Sequence, residues 1–410
     1  MKTEISTHLH DPAHLEGLYR NDRAAFKRAF NDLLPTLQGN PIADCWNARL
    51  NYADESIHWG SRRELLFVLA AAAIAGLAAQ FPALFGIEEE FFYSRNIGFI
   101  LFVPLAMYFA WRHSLPTGKL ALLLATVLIS LVFINLLPND PENDIVVLSC
   151  LHLVLILWST VGFAFGGQAG EQRTRFLTYN GDLLVMMALI VIAGGILSAI
   201  TIALFAAIGL QIEDIYFQYI VITGAVAVPL VATYLTQSNP QLVGKVSPVI
   251  ARIFCPLVLV MLVVYLTAMV YGGKDPYTDR DFLLIFNVML IGVMAIIFFS
   301  IAGTSPTTKN RLTTTIITLL AAVATVVNAV ALSAILFRIT EWGITPNRAA
   351  VLGANVLVLV HLIWVLTKLV RVLRSDEPIT EVQHVVARYL PIYFVWALIV
   401  TFLFPLIFVW

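Results

Sequence analysis

Residues 312–337 read LTTTIITLLAAVATVVNAVALSAILF, residues 338–348 read RITEWGITPNR, and residues 349–370 read AAVLGANVLVLVHLIWVLTKLV. The first stretch contains no charged residue, and the third carries only Lys368, close to its end. About 20 apolar residues suffice to carry a helix across the hydrocarbon core of a bilayer. Gly343 and Pro346 supply turn chemistry between them. The whole reads as two membrane spans joined by a tight hairpin, and that reading sets the fold of the chain.

The same pattern recurs on both sides. Apolar runs lie at Leu65–Phe85, Ile97–Trp111, Leu120–Leu137, Ile145–Phe165, Leu183–Leu210, Ile215–Leu235, Val249–Tyr271, Phe282–Ala302, Leu312–Phe337, Ala349–Val370 and Tyr389–Trp410. Eleven spans are expected, the second the shortest, the fifth and ninth long enough to tilt or to extend beyond the membrane. Composition agrees. The 410 residues are 59% hydrophobic and 12% charged, against about 25% charged in soluble domains. The expected fold is all-α: a polytopic transmembrane helix bundle over residues 61–410, behind a small helical head over residues 1–60.

In the head, Asp11-Pro12 is a helix start, with Asp as N-cap and Pro at the first helical position. Leu15, Leu18, Tyr19, Phe26, Phe30, Leu33 and Leu37 follow at helical spacing, one apolar stripe on one helix that Pro35 and Gly39-Asn40-Pro41 close. A second short helix is expected to hold Trp46, Leu50 and Tyr52. Some 60 residues build only a weak core, so the head is expected to pack against loops of the membrane domain. It has no continuous apolar stretch, so no cleavable signal peptide is read and the first span directs insertion.

Orientation follows from Lys and Arg. Placing the head in the cytosol puts Arg62, Arg63, Arg112, Lys119, Arg173, Arg175, Lys245, Arg252, Lys309, Arg311, Lys368, Arg371, Arg374 and Arg388 on inner connections, but only Arg95, Lys274, Arg280, Arg338 and Arg348 on outer ones. Acids are distributed the opposite way. Glu88, Glu89, Glu90, Asp140, Glu142, Asp144, Glu213, Asp214, Asp275, Asp279, Asp281 and Glu341 fall outside. The expected location is a bacterial inner membrane, with the N-terminus cytosolic and the C-terminus periplasmic or extracellular. No Asp or Glu remains for the middle of a span. Ion-coupled pumps and transporters often use such carboxylates, so the sequence argues against that mechanism.

A net charge of -1 gives nucleic-acid binding no electrostatic support. Cys45, Cys150 and Cys255 lack metal-ligand spacing, so neither a zinc site nor a disulfide framework is expected. Phosphate-loop, nucleophile-elbow and zinc-helix motifs are absent, and no cofactor is expected. The candidate binding residues are polar groups in unusual places. Asn328, Asn355 and His361 lie in spans nine and ten, where a polar side chain faces either a neighbouring helix or a substrate path. Two outer connections stand out as well. Lys274, Asp275 and Arg280 occupy one of them, with Asp spacing unlike a calcium loop. In the other, Arg338 and Arg348 bracket Glu341, either as a salt-bridged hairpin or as paired cations for an anionic group.

Three stretches carry a resemblance. They are Leu15-Glu16-x-Leu18-Tyr19-Arg20 with Trp46-x-x-Arg49-Leu50, Glu89-Glu90-x-Phe92-Tyr93-x-Arg95-Asn96-Ile97-Gly98-Phe99, and Arg338-Ile-x-Glu341-x-Gly343-Ile-Thr345-x-x-Arg348. Over nearly its whole length the chain resembles a family of uncharacterised bacterial multi-pass inner-membrane proteins, a domain of unknown function whose members are labelled permease-like. The resemblance implies topology and location and supplies no catalytic residues. A permease-like transporter or transport accessory is the first expectation, with the lipid bilayer and an unidentified small molecule as partners. A sensor or scaffold whose head docks a cytosolic protein, and a membrane enzyme acting on an outer-face lipid or glycan, are the alternatives.

Overall fold

The structure, a computed structural model, describes residues 2–21, 23–37, 40–50, 61–140, 142–166, 170–207, 210–240, 255–264, 266–267, 277, 280–304, 311–375 and 377–408. The chain divides into two compact units, Met1–His58 and Trp59–Trp410.

The first unit contains α1 (Lys2–Thr7), α2 (Pro12–Asn21), α3 (Arg23–Leu33) and α4 (Pro41–Leu50). Asp11 caps α2 as expected, its Oδ1 accepting from the backbone N–H of Ala13 and His14, both at 3.1 Å. Asn40 does the same for α4, accepting from Ile42 at 3.0 Å. The single long helix expected over Leu15–Leu37 is instead two, α2 and α3. Tyr19 of α2 and Phe26 of α3 meet edge to face, centroids 5.8 Å apart, and Trp46 of α4 lies 5.1 Å from Phe26. Ile5, Leu15, Phe26 and Phe30 are fully buried. Glu16 binds Arg20 and Arg49, each at 2.9 Å. The Arg20 hydrogen bond, aided by Arg49, holds its carboxyl below the usual carboxylate range. The pair therefore supports the fold above that range and fades as pH falls through the depressed value.

Among the described residues, every element of the second unit is a helix: α5 (Arg62–Ala79), α6 (Phe81–Phe85), α7 (Glu89–Arg112), α8 (Thr117–Leu136), α9 (Asp144–Gly166), α10 (Gly170–Ala207), α11 (Glu213–Ser238), α12 (Cys255–Val264), α13 (Arg280–Ala302), α14 (Arg311–Trp342), α15 (Pro346–Ser375) and α16 (Thr380–Ile407). Eight of them, α7 to α11 and α14 to α16, are long and apolar enough to cross a membrane.

Three expectations change. The first run is not one helix: α5 ends at Ala79, Pro82 opens α6, and Gly86 closes α6 at a left-handed φ of 64°. The second run is longer than expected, because Glu89 and Glu90 form the first turn of α7, where carboxylates suit the helix dipole. Of the seventh run, about half is described, as α12; the residues before Cys255 and after Thr267 lie outside the described residues. Pro104, Pro229 and Gly194-Gly195, the helix breakers of the sequence, sit inside continuous helices. α10, at 38 residues, is about 57 Å long at ~1.5 Å per residue.

Buried side chains form two main cores. One gathers α5, α7, α8, α9, α10 and α11 around Tyr108, Phe109, Ile156 and Leu157. The other gathers α12 to α15 around Leu262, Leu320, Ala324 and Leu362. α16 serves both, through Val382, Val385 and Val386 near its start and Ala397 further along.

Close helix approaches rest on glycine. A Cβ at Gly181 of α10 would lie 1.5 Å from the Phe299 ring of α13, and one at Gly353 of α15 would lie 2.1 Å from the Trp396 ring of α16. Small residues let helices approach where hydrophobic driving force between them is weak. Gly181→Ala is expected to destabilise the purified protein by about 1–3 kcal/mol, the usual cost of overpacking. Adding Phe299→Leu should recover part of it. Detergent melting curves of both variants check this, and additive losses would contradict it.

Candidate functional site

Asn328 on α14 and Asn355 on α15 meet in the interior, as their neighbouring spans implied. Both are buried. Asn328 Nδ2 donates to Asn355 Oδ1 at 3.2 Å, leaving Asn328 Oδ1 and Asn355 Nδ2 buried without partners. A second amide pair shows what full satisfaction looks like. Asn96 of α7 and Asn135 of α8 exchange two hydrogen bonds, at 3.0 and 2.9 Å, and each also donates to a carbonyl of its own helix.

His361 lies one and two-thirds turns beyond Asn355 on α15, about 9 Å along the axis. It is fully buried, stacked on Tyr389 at 4.3 Å and tilted against Phe298 at 4.5 Å. Its Nδ1 is 3.0 Å from Tyr393 Oη. Tyr393 in turn donates to Met294 Sδ at 3.6 Å. His361 Nε2 is buried and has no partner among the described residues. The three interior residues named from sequence therefore form two polar spots on adjoining helices.

The hairpin departs from expectation. α14 ends at Trp342, and Gly343 takes a left-handed φ of 76°, its N–H bonding to Ile339 O at 2.9 Å. That conformation ends helices on glycine. Thr345 Oγ1 accepts from Arg348 N at 3.3 Å and opens α15. Glu341, expected between the two arginines, is exposed and pairs with neither among the described residues. Arg348 instead donates to the carbonyls of Trp342 and Gly343, at 2.8 and 2.6 Å. Arg338 and Arg348 both lie over the Trp342 ring, 5.2 and 5.8 Å from its centroid. Trp342, four residues from Arg338, offers that guanidinium a ring face, and the carbonyls at the end of α14 supply the negative charge that Arg348 meets. Arg338 is buried, and its Nη1 has no partner. Lys274 and Asp275 lie outside the described residues. Arg280 begins α13, and its side chain lies outside them too.

Several polar residues that sequence reading left in connections or passed over tie helices together. Arg95, read as an outer-loop cation, is buried on α7 and donates to the carbonyls of Ile134, Leu137 and Pro138 at 2.9, 2.8 and 2.6 Å. Tyr93 caps α5 through Ala79 O at 2.8 Å. At the opposite end of the bundle, Glu64 of α5 binds both Tyr108 and Arg112 of α7. Gln383 of α16 donates to Ile301 and Thr304 carbonyls beyond α13, at 3.0 and 3.1 Å. One signal for Arg95 was available: Asn96 and a long apolar run follow it directly, so it belongs to the helix that carries that run instead of to a loop.

No protein-family model, curated protein or solved structure matches this chain. The fold alone defines its class: among the described residues every element is helical, and eight helices are long and apolar enough for a multi-pass membrane protein.

The hairpin geometry fixes an order of effects. Arg348→Ala removes two charge-assisted bonds to helix-end carbonyls, each of a type worth about 1.5–3 kcal/mol. Glu341→Ala removes an exposed side chain. Melting in detergent should therefore fall for Arg348→Ala and stay within about 0.5 kcal/mol for Glu341→Ala. The reverse order would restore the salt-bridged hairpin.

Proposed function

We propose that the chain is a permease-like transporter, or an accessory to one, of a bacterial inner membrane. In this reading α5, α12 and α13 join the eight long apolar helices to make eleven spans. The head and the end of the bundle that carries Arg112 and Lys368 face the cytosol, following the bias of Lys and Arg. The resemblance to permease-like membrane proteins points the same way.

One observation carries the proposal. Six buried polar groups without hydrogen-bond partners lie on α14, α15 and α16: Asn328 Oδ1, Arg338 Nη1, Asn355 Nδ2, His361 Nε2, Trp396 Nε1 and Thr401 Oγ1. An unmet polar group in apolar surroundings costs roughly 1–3 kcal/mol on mutational evidence. Six on three adjoining helices support a reading in which water or a substrate supplies the missing partners. All but Arg338 are neutral, which favours a small polar solute that donates and accepts hydrogen bonds.

Two measurements test this, both in a background with Cys45, Cys150 and Cys255 replaced. Intact cells exposed to an impermeant thiol reagent should label Asp140→Cys and leave Ser375→Cys unlabelled. Labelling of Ser375→Cys from outside would invert the topology. In membrane vesicles, a small water-soluble thiol reagent should modify Asn355→Cys or His361→Cys within the folded protein. If both react only after denaturation, the interior is a sealed bundle, and the sensor or scaffold reading takes precedence.

A further inference from the structure

A cavity of about 350 Å³ lies between α8, α9, α10 and α16, at the lower end of the ~300–1,000 Å³ range of ligand pockets. It shares no residue with the polar spots on α14 and α15. Leu122, Leu390 and the rings of Trp158, Phe163, Phe176 and Phe394 give it a mostly apolar wall. Leu122, at the rim, is 59% exposed on the outer surface of the bundle, so the cavity opens sideways where the helices present their apolar faces.

The polar atoms that reach it narrow the chemistry. Thr126, Ser159 and Thr160 each donate their hydroxyl hydrogen to a carbonyl of their own helix, at 2.9, 2.8 and 2.6 Å. The Trp158 indole N–H is held by Asn180 Oδ1 at 2.9 Å. The remaining donors belong to Arg173, in the first turn of α10, whose guanidinium makes a single 3.4 Å hydrogen bond to Ala387 O. Arg173 has no ion pair among the described residues, and the nearby Glu171 is engaged by Arg175 at 2.9 Å. One under-used guanidinium at the end of an apolar, laterally open cavity matches a ligand with a hydrocarbon body and an anionic head.

We propose that this cavity holds an acyl chain of an anionic phospholipid, with the lipid phosphate on Arg173. The source is the surrounding bilayer. A water-soluble anion would find only the guanidinium, whereas a lipid fills the wall from the hydrocarbon side. In the proposed topology Arg173 stands on the cytosolic side, where a phosphate of that leaflet meets it.

The test uses the delipidated full-length protein in neutral detergent. It reads the melting temperature with added phosphatidylglycerol, phosphatidylcholine of the same acyl chains, or inorganic phosphate, and native mass spectrometry counts bound lipid. Phosphatidylglycerol should raise the melting temperature and remain bound, phosphatidylcholine should do so far more weakly, and phosphate should have no effect. Arg173→Gln should weaken phosphatidylglycerol binding by about tenfold or more, the loss expected for a charge-assisted contact. Thr126→Phe fills the cavity from α8 without touching Arg173. It should abolish the shift as well, which keeps the test valid if Arg173→Gln folds poorly. Equal shifts from the two lipids, a shift from phosphate alone, or an undiminished phosphatidylglycerol shift in Thr126→Phe would each overturn the assignment.

Discussion

A helix that ends in apolar surroundings leaves its last carbonyls without donors, and in lipid no water replaces them. This chain meets that demand with side chains borrowed from the neighbouring helix. Arg95 of α7 closes α8 through three carbonyls. Tyr93 of the same helix closes α5, Gln383 of α16 closes α13, and Arg348 of α15 closes α14. Each of these bonds satisfies a backbone group and fixes how two helices sit at their ends. Packing then has only the middle of each helix to settle. An arginine or glutamine is well suited to the task, since its donors reach several carbonyls while its stem lies along apolar surface.

The same demand explains the irregular turns. Within α16 the backbone widens into a π-helical stretch at Ile399–Leu403. Such a widening frees carbonyls from their usual ladder, and Ser149 of α9 donates to one of them, Thr401 O, at 3.1 Å. Here again the irregularity is absorbed by a side chain on the adjoining helix. α16 is thus fastened at its start to α13, through Gln383, and further along to α9, and it contributes to both cores. With α10, whose Gly181 meets Phe299 of α13, it forms the boundary between the two helix groups.

Polar satisfaction is uneven across that boundary. On the α7–α8 side, the Asn96–Asn135 pair is reciprocal and complete. On the α14–α15 side, the Asn328–Asn355 pair is half complete, and His361 keeps an idle nitrogen. Identical residue types in comparable settings have been built to different degrees of closure. The complete pair locks two helices. The incomplete one has capacity left for a further partner, the physical basis for the proposed solute path there.

The sequence by itself determined the helical class, the positions of most long apolar helices and the local caps. A run of some 20 apolar residues has one stable form in lipid, and Asp11 or Thr345 before a helix finds its donors within three residues. It also singled out Asn328, Asn355 and His361, because polar side chains inside apolar runs are visible in one dimension. Partner choice was decided only by the tertiary structure. Glu341 sits three residues from Arg338 in sequence, yet Arg338 stacks on Trp342 and Glu341 faces outward. Arg95 reads as a loop cation until α8 ends within its reach. Arg173 reads as one basic residue among many on its side until α8, α9, α10 and α16 enclose a cavity beside it. Long side chains select among carbonyls, rings and carboxylates within several ångströms, and which of these arrive there depends on helix packing that no local pattern encodes.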